Sequence, residues 1–404
     1  MAFHGHGMLP SAACLLAAML GTSGAFAQTD VAALEQRLAE QEQRIRVLER
    51  KLELQQEATT AAAAEAPVVR ASPRGFTLQS QDGSSQIRLR GLLHFDGREF
   101  RGAAAPPGSD TFTLARVRPL IEGSVGGMFD YRFTPDFGNG RTVIQDAYVV
   151  ARVNPGIAIT AGKFKTPFGI ERLQSTSDLR FVQRALPNNL VPNRDLGLQL
   201  GGDLFSGHLT YALGYLNGVN DGGSTENNAT PDAENNDDKD VAIRFFAQPF
   251  RSSDVFALQS LIFGVAATYA DNVGSATRTL LPTYRSPGQQ TVFAYRTGAA
   301  TTFADGERLR WSPQFYYANG SLGVLGEYVA VSQDVARATA TGLRRAALDH
   351  DAWQVSLGWF LTGEEAGYRA PAPKRPITRG SGQWGALELT ARVSALNLDP
   401  KRRN

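Results

Sequence analysis

The sequence predicts an all-β transmembrane β-barrel preceded by a short N-terminal coiled-coil helix, and three observations carry the prediction. From residue 74 onward apolar side chains recur with a period of two, segment after segment, while the opposite parity collects arginine and other polar residues. Tight turn signals alternate with long connections. No apolar run is long enough to cross a bilayer as a helix. A strand needs only about 9 to 11 residues for the same crossing, half of them apolar, so a chain that is 42% hydrophobic can still be embedded in lipid.

Residues 1–27 read as a cleaved signal peptide. The apolar stretch Ala12 to Leu20 is followed by small residues ending at Ala25-Phe26-Ala27, the pattern of a cleavage site before Gln28. The only cysteine, Cys14, lies in this segment, so an exported chain has no thiol for a disulfide or a metal. Residues 28–57 follow as a coiled-coil helix. Val31, Leu34, Leu38, Gln41, Ile45, Leu48, Leu52 and Gln55 recur at alternating spacings of three and four, flanked by Glu35, Arg37, Glu42, Arg44, Glu49 and Lys51. A seam this narrow buries little on one helix and implies partner helices. Residues 58–73, rich in alanine with two prolines, read as a linker.

Residues 74–404 then read as the barrel. In 87–98 Ile87, Leu89, Gly91, Leu93 and Phe95 oppose Arg88, Arg90, His94, Asp96 and Arg98; in 112–125 Ala115, Val117, Ile121 and Val125 oppose Arg116, Arg118, Glu122 and Ser124. Val149, Ala151 and Val153 oppose Tyr148 and Arg152, Trp353 to Leu361 alternate likewise, and Leu387, Leu389 and Val393 oppose Glu388 and Arg392. About thirteen such segments are present. Turns at 126–127, 154–156, 206–207 and 319–320 alternate with long loops at 165–194, 218–238 and 271–305. A soluble sandwich would turn its apolar face inward and would have no use for so many arginines on the other. A closed barrel in lipid leaves no sheet edge and pairs its backbone groups.

The chemistry lies in where charges fall, since the whole chain is balanced at 41 Lys+Arg against 39 Asp+Glu and offers no basic stripe for a nucleic acid. By parity the wet face collects Arg88, Arg90, Arg98, Arg116, Arg118, Arg132, Arg152, Arg308, Arg310 and Arg392, against Asp96, Glu122, Asp136, Asp146 and Glu388. A bore with that surplus concentrates small anions and repels cations, and arginine's planar fork suits phosphate or carboxylate oxygens. Charge ladders that merely stiffen the wall are the competing reading. The loop from Lys165 to Arg194, with Arg172, Arg180 and Arg184, is too long for a hairpin and too apolar for a free tail, which makes it a candidate constriction folded into the bore. The acidic stretch 217–240, with Asp221 among glycine and asparagine, reads as a solvated outer loop facing lipopolysaccharide. His94, His208 and His350 are the only histidines outside the signal segment and none lies in a hydrolase-like motif, so an enzyme is not expected and no cofactor or metal is called for.

Several stretches resemble the phosphate-selective porin O and P family: Asp146-Ala147-Tyr148, Gly162-Lys163-Phe164-Lys165-Thr166-Pro167-Phe168-Gly169-Ile170-Glu171, Arg184 to Pro192, Leu361-Thr362-Gly363-Glu364 and Trp384 to Leu389. The resemblance implies a sixteen-stranded, homotrimeric outer-membrane channel for inorganic phosphate or polyphosphate, with an arginine ladder leading to a basic constriction. Carried over residue by residue, it makes Arg116 a ladder arginine, Arg172 a basic constriction residue beside Lys163 and Lys165, and Asp146 the constriction carboxylate. Arg278 and Arg285 fall in the loop that supplies further ladder arginines. The chain departs from phosphate-specific members at Ala115, where a second arginine would precede Arg116, and at Asp130, in place of a wall lysine. It also stops after the thirteenth strand, about three strands before family members close on a terminal aromatic residue. Expectations that stay open are therefore a general or sugar-permeable porin and a truncated, non-functional one.

Overall fold

The computed structural model describes residues 26–72, 75–101, 109–224, 239–298, 300–339 and 341–399. It divides into two units, Met1–Ala66 and Pro67–Asn404. The expected signal peptide lies outside the described residues except at its last two positions.

In the first unit the helix α1 (Phe26–Glu65) extends well beyond the expected 28–57. The alanines that suggested a linker are good helix formers and carry the helix on, and Val68–Ser72 form a strand. The expected linker over 58–73 is thus mostly regular structure. No helix among the described residues is long and apolar enough to cross a membrane.

The second unit is a β-barrel wall. A short hairpin, β1 (Val68–Ser72) and β2 (Gly75–Gln79), leads into β3 (Gln86–Arg98), β4 (Thr111–Val125), β5 (Phe129–Asp136), β6 (Val143–Asn154), β7 (Ile157–Lys165), β8 (Arg194–Leu204), β9 (Leu209–Leu216), β10 (Asp240–Ala247) and β11 (Ile262–Val273). A separate hairpin, β12 (Thr283–Arg285) with β13 (Thr291–Ala294), lies in the following loop. The wall resumes with β14 (Thr302–Asn319), β15 (Leu322–Thr339), β16 (Gly342–Phe360) and β17 (Glu388–Leu398). Every neighbouring pair in the 15-stranded sheet is antiparallel and consecutive along the wall. Thirteen of these are the segments expected from the period of two; the β1–β2 hairpin is additional. Among the described residues no pairing joins β1 to β17.

Burial is inverted relative to a water-soluble protein. On β16 Trp353, Val355, Leu357 and Trp359 are exposed, while Ala352, Gln354 and Ser356 between them are buried. On β14 Leu309 and Trp311 are exposed and Arg308, Arg310, Ser312 and Gln314 are buried. The same division holds on β7, with Ile157 and Ile159 outside and Thr160 inside. Large side chains facing outward over so many strands require an apolar surrounding, and lipid supplies it.

The connections follow the expected alternation with three exceptions. Gly126 and Gly127 both take positive φ, at 61° and 67°, the backbone a tight antiparallel hairpin needs and glycine adopts without strain. The joins 248–261 and 361–387, however, are long and fall at the end where short turns were expected, and the turn between Thr339 and Gly342 is tight at the end of long loops. The 361–387 connection is held inward: Tyr368 donates its hydroxyl to the Ile170 carbonyl and receives the Gln174 side-chain amide on its own carbonyl at 2.8 Å.

Candidate functional site: the inserted loop and its cations

Pro167 and Gly169 end β7, because proline cannot continue a ladder and Gly169 lets the chain pass close to Val191, whose Cγ1 would lie 2.7 Å from a side chain there. The segment 166–193 then runs as short helical turns across the polar side of the wall. Phe168, Leu190 and Val191 are fully buried against Val329, Val331, Ala352 and Tyr284. Burial of each such side chain stabilises by about 1.5–3 kcal/mol, so apolar contact is the loop's main anchor.

Polar contacts fix its register on the wall. The Ile170 amide donates to Glu327 Oε2 of β15 at 3.0 Å, and Gln354 of β16 donates to both Glu327 Oε1 at 2.7 Å and Glu171 Oε2 at 3.0 Å. Glu171 also accepts from the Ala185 amide at 2.9 Å and from Asn188 Nδ2 at 2.7 Å. Gln183 is held from two sides: Arg116 of β4 donates to its Oε1 at 3.1 Å and Arg392 of β17 to its carbonyl at 2.9 Å. The loop therefore bridges β4 and β15–β17, on strands far apart in the sheet order.

The wet-face cations sort into two groups by what holds them. In the first, carboxylates cancel part or all of the charge. Arg88, Arg90 and Arg132 converge on the single carboxylate of Glu122, at 3.7, 3.0 and 2.6 Å. Arg118 pairs with Asp136 at 2.7 Å, and Arg152 pairs with Asp130 near the turn end of the wall. Arg308 and Arg310, counted by parity toward a positive bore, are spent on Asp240 at 2.8 Å and Asp221 at 2.7 Å. This corrects the reading of Asp221 as part of a solvated acidic loop; residues 225–238 of that loop lie outside the described residues. Arg180, expected at the constriction, is paired with Glu388 at 2.8 Å and clamps the loop to the wall instead.

In the second group the partners are neutral. Arg116 meets His94 Nδ1 at 2.9 Å and Gln183. Lys165 donates to the carbonyls of Leu173 and Gln174, Arg172 to Asn188 O at 2.8 Å, and Arg184 to Gln174 O at 3.0 Å. Carbonyls orient these cations without cancelling them. Asp146, the carboxylate beside Lys165, is itself engaged by Arg194 at 2.8 Å, a cation that sequence reasoning placed only at the loop's end, and Glu171, beside Arg172 and Arg184, is engaged by Arg392 at 3.5 Å. Burial, and after it the neighbouring Arg194, push the Arg172 guanidinium down to about 10; burial, and then Arg172, hold Arg184 well below the usual arginine range. Crowded like charges in a dry site are unfavourable alone and are relieved by an anion among them.

Three expected positions stand apart. Lys163 is buried in the wall, opposite Ala147 and Leu196 in the strand pairing. Arg278 and Arg285 lie in the 274–301 loop; Arg285 donates to the Gln289 carbonyl at 3.3 Å, and its backbone exchanges two hydrogen bonds with the Asn189 side chain. Gln183, Glu327 and Gln354 were not singled out from sequence, and His94 was named only as a wet-face histidine without a role at the site. Glu327, the one charged residue in the first half of β15, Leu322-Gly-Val-Leu-Gly-Glu327-Tyr-Val-Ala, is the signal that could have marked the anchor. Among the described residues no cluster of His, Cys, Asp and Glu could hold a metal ion.

The pattern of the phosphate-selective porin O and P family matches residues 87–404. No curated protein matches the chain. Solved structures that resemble it include in-vitro folded OmpT, an outer membrane protein of Vibrio cholerae, at 11% identity over 78% of this chain and 88% of that one, with a TM-score of 0.32. OccK10 of Pseudomonas aeruginosa is 12% identical over 81% and 88% with a TM-score of 0.31, and OmpF of Salmonella typhi, in complex with daunomycin, 10% identical over 78% and 98% with a TM-score of 0.31. Likeness at this level carries nothing further about this chain.

Proposed function

Since the chain belongs to the phosphate-selective porin O and P family, and is thus an outer-membrane porin and a channel, we propose that it is an anion-selective diffusion channel whose preference is set by Arg116, Lys165, Arg172 and Arg184. The observation that carries this reading is the second group of cations: they are oriented by carbonyls, His94 and Gln183, so their charge remains available to a passing anion. The first group supplies a smaller bias, because three arginines around Glu122 leave an excess of positive charge. Phosphate is the favoured ligand, since guanidinium forks match its oxygens and the family is named for that selectivity. Export by a cleaved signal peptide, contact with lipopolysaccharide and assembly as a homotrimer belong to the same proposal. No cofactor is required for passive diffusion down a gradient.

The test is the zero-current reversal potential of purified protein in a planar bilayer under a KCl gradient, followed by titration with phosphate. A potential favouring chloride and conductance blocked by millimolar phosphate are expected. Arg116→Glu and Arg172→Glu should each shift the potential toward cations while the protein still assembles. A cation-favouring potential in the parent, or no shift in either variant, overturns the assignment.

A further inference from the structure

Helix α1 carries an exposed apolar seam. Val31, Leu34, Leu38, Ile45, Leu48 and Leu52 are between 52% and 66% exposed. We infer that α1 packs against the α1 of other copies of this chain, parallel and in register, and that the charges beside the seam dictate that direction.

With Val31, Leu38, Ile45 and Leu52 at the first seam position of each heptad and Leu34, Gln41, Leu48 and Gln55 at the second, the flanks separate by sign. The position after the second seam residue is Glu35, Glu42, Glu49 and Gln56. The position before the first is Asp30, Arg37, Arg44 and Lys51. One flank is acidic or neutral throughout, and the other is basic from Arg37 onward. In a parallel pair each basic-flank residue faces the acidic-flank residue five positions further on in its neighbour, so Arg37 meets Glu42, Arg44 meets Glu49 and Lys51 meets Gln56. In an antiparallel pair like flanks meet, cation against cation and carboxylate against carboxylate. From Arg37 onward only the parallel arrangement is self-complementary.

Register follows from the seam. In register, each Gln41 amide faces the same amide in its neighbour and can bond to it. A slip of one heptad sets Gln41 against Leu48 and leaves a buried amide unpaired. The ion pairs present within the single helix, Glu40–Arg44, Glu42–Arg46 and Arg50–Glu53, are all exposed and too weak to withhold these side chains from a partner. Copies of one barrel in one membrane share an orientation, so their amino-terminal helices emerge on the same side and can run alongside one another. The inference rests on the barrel and the helix and is independent of which ion passes.

The experiment uses the full chain in outer membranes, in a Cys14→Ser background, with single cysteines in the seam: Leu34→Cys near one end or Leu52→Cys near the other. Parallel, in-register association brings each cysteine against its own copy, so each variant alone should form an intermolecular disulfide when an external oxidant is added. Antiparallel association about the seam's midpoint sets residue 34 opposite residue 52 and leaves identical cysteines roughly 27 Å apart (18 residues at 1.5 Å rise). Cross-linking only on co-expression of the two variants would therefore overturn the direction, and no disulfide in any combination would overturn self-association itself. Reversing the basic flank (R37E/R44E/K51E) in the Leu34→Cys chain should lower the yield severalfold. Co-expression with a Leu34→Cys chain carrying E35K/E42K/E49K should restore it as a heterotypic product, which separates loss of charge matching from loss of folding. An undiminished yield after reversal would overturn the role given to charge.

Discussion

Replacing Glu171 by alanine is expected to release the inserted loop and leave the strands assembled. The carboxylate is 6% exposed and accepts from Ala185 N at 2.9 Å, Asn188 Nδ2 at 2.7 Å and Gln354 Nε2 at 3.0 Å, with Arg392 at 3.5 Å from its other oxygen. Alanine orphans two buried donors, Ala185 N and Asn188 Nδ2, and takes one of the two acceptors of Gln354 Nε2, at about 1–3 kcal/mol for each bond that nothing replaces. Partial relaxation brings the sum to about 3–5 kcal/mol, the usual cost of removing one member of a buried charged network. None of these bonds belongs to a strand ladder, so the loss falls on the equilibrium between docked and undocked loop. At about 1.4 kcal/mol per tenfold, the undocked fraction rises by a factor of about 10² to 4 × 10³. Single-channel recording and limited trypsin digestion read this directly, with the heat-modifiable gel mobility of the folded barrel as a control. Larger conductance, cleavage after Arg180 or Arg184 and weaker anion preference are expected. The sign of the last is diagnostic: removal of a carboxylate by itself raises anion preference, so a fall can come only from displacement of the loop's cations. Conductance and protease resistance equal to the parent's would refute the claim that Glu171 holds the loop.

Three further outcomes follow from the same geometry. Glu122→Gln strips Arg88, Arg90 and Arg132 of their shared carboxylate and should raise anion preference in a reversal-potential measurement; the stability loss should stay below about 2 kcal/mol because the three guanidiniums are about a third exposed and screened. Arg180→Gln should leave the reversal potential near the parent's, since Glu388 already cancels its charge, whereas Arg116→Gln should move it toward cations; the opposite ranking would contradict the division of cations into two groups. Leu357→Arg places a charge on the lipid-facing parity of β16 at a cost of about 2–4 kcal/mol near mid-membrane, and should cut the yield of assembled barrel on gels; normal assembly would put that face in water.

How far the sequence reveals this molecule depends on whether a property belongs to one residue or to a pair. Facing lipid is a property of each side chain alone, so the alternation of Trp353, Val355, Leu357 and Trp359 is visible without knowing the partner strand, and with it the fold. The effective charge of an arginine is a property of what lies opposite. Arg308 and Arg310 alternate like any wet-face residues, and only the return of 217–224 over the wall brings Asp221 to Arg310. Asp221 sits among glycine and asparagine, which reads as a solvated loop because the long-range pairing is not written locally. Counting charges by parity therefore overstates the positive bias of the bore wherever a carboxylate arrives from a distant segment. The cations that keep their charge are those met by carbonyls, and carbonyls carry no residue signature. What the sequence does contain is the reason those carbonyls are free: Pro167, Gly169 and Pro187 keep 166–193 out of any strand, and backbone that pairs with no ladder has acceptors to spare for Lys165, Arg172 and Arg184. An irregular, proline-interrupted segment carrying several cations and few carboxylates is, on this physical ground, a place where positive charge is positioned without being cancelled.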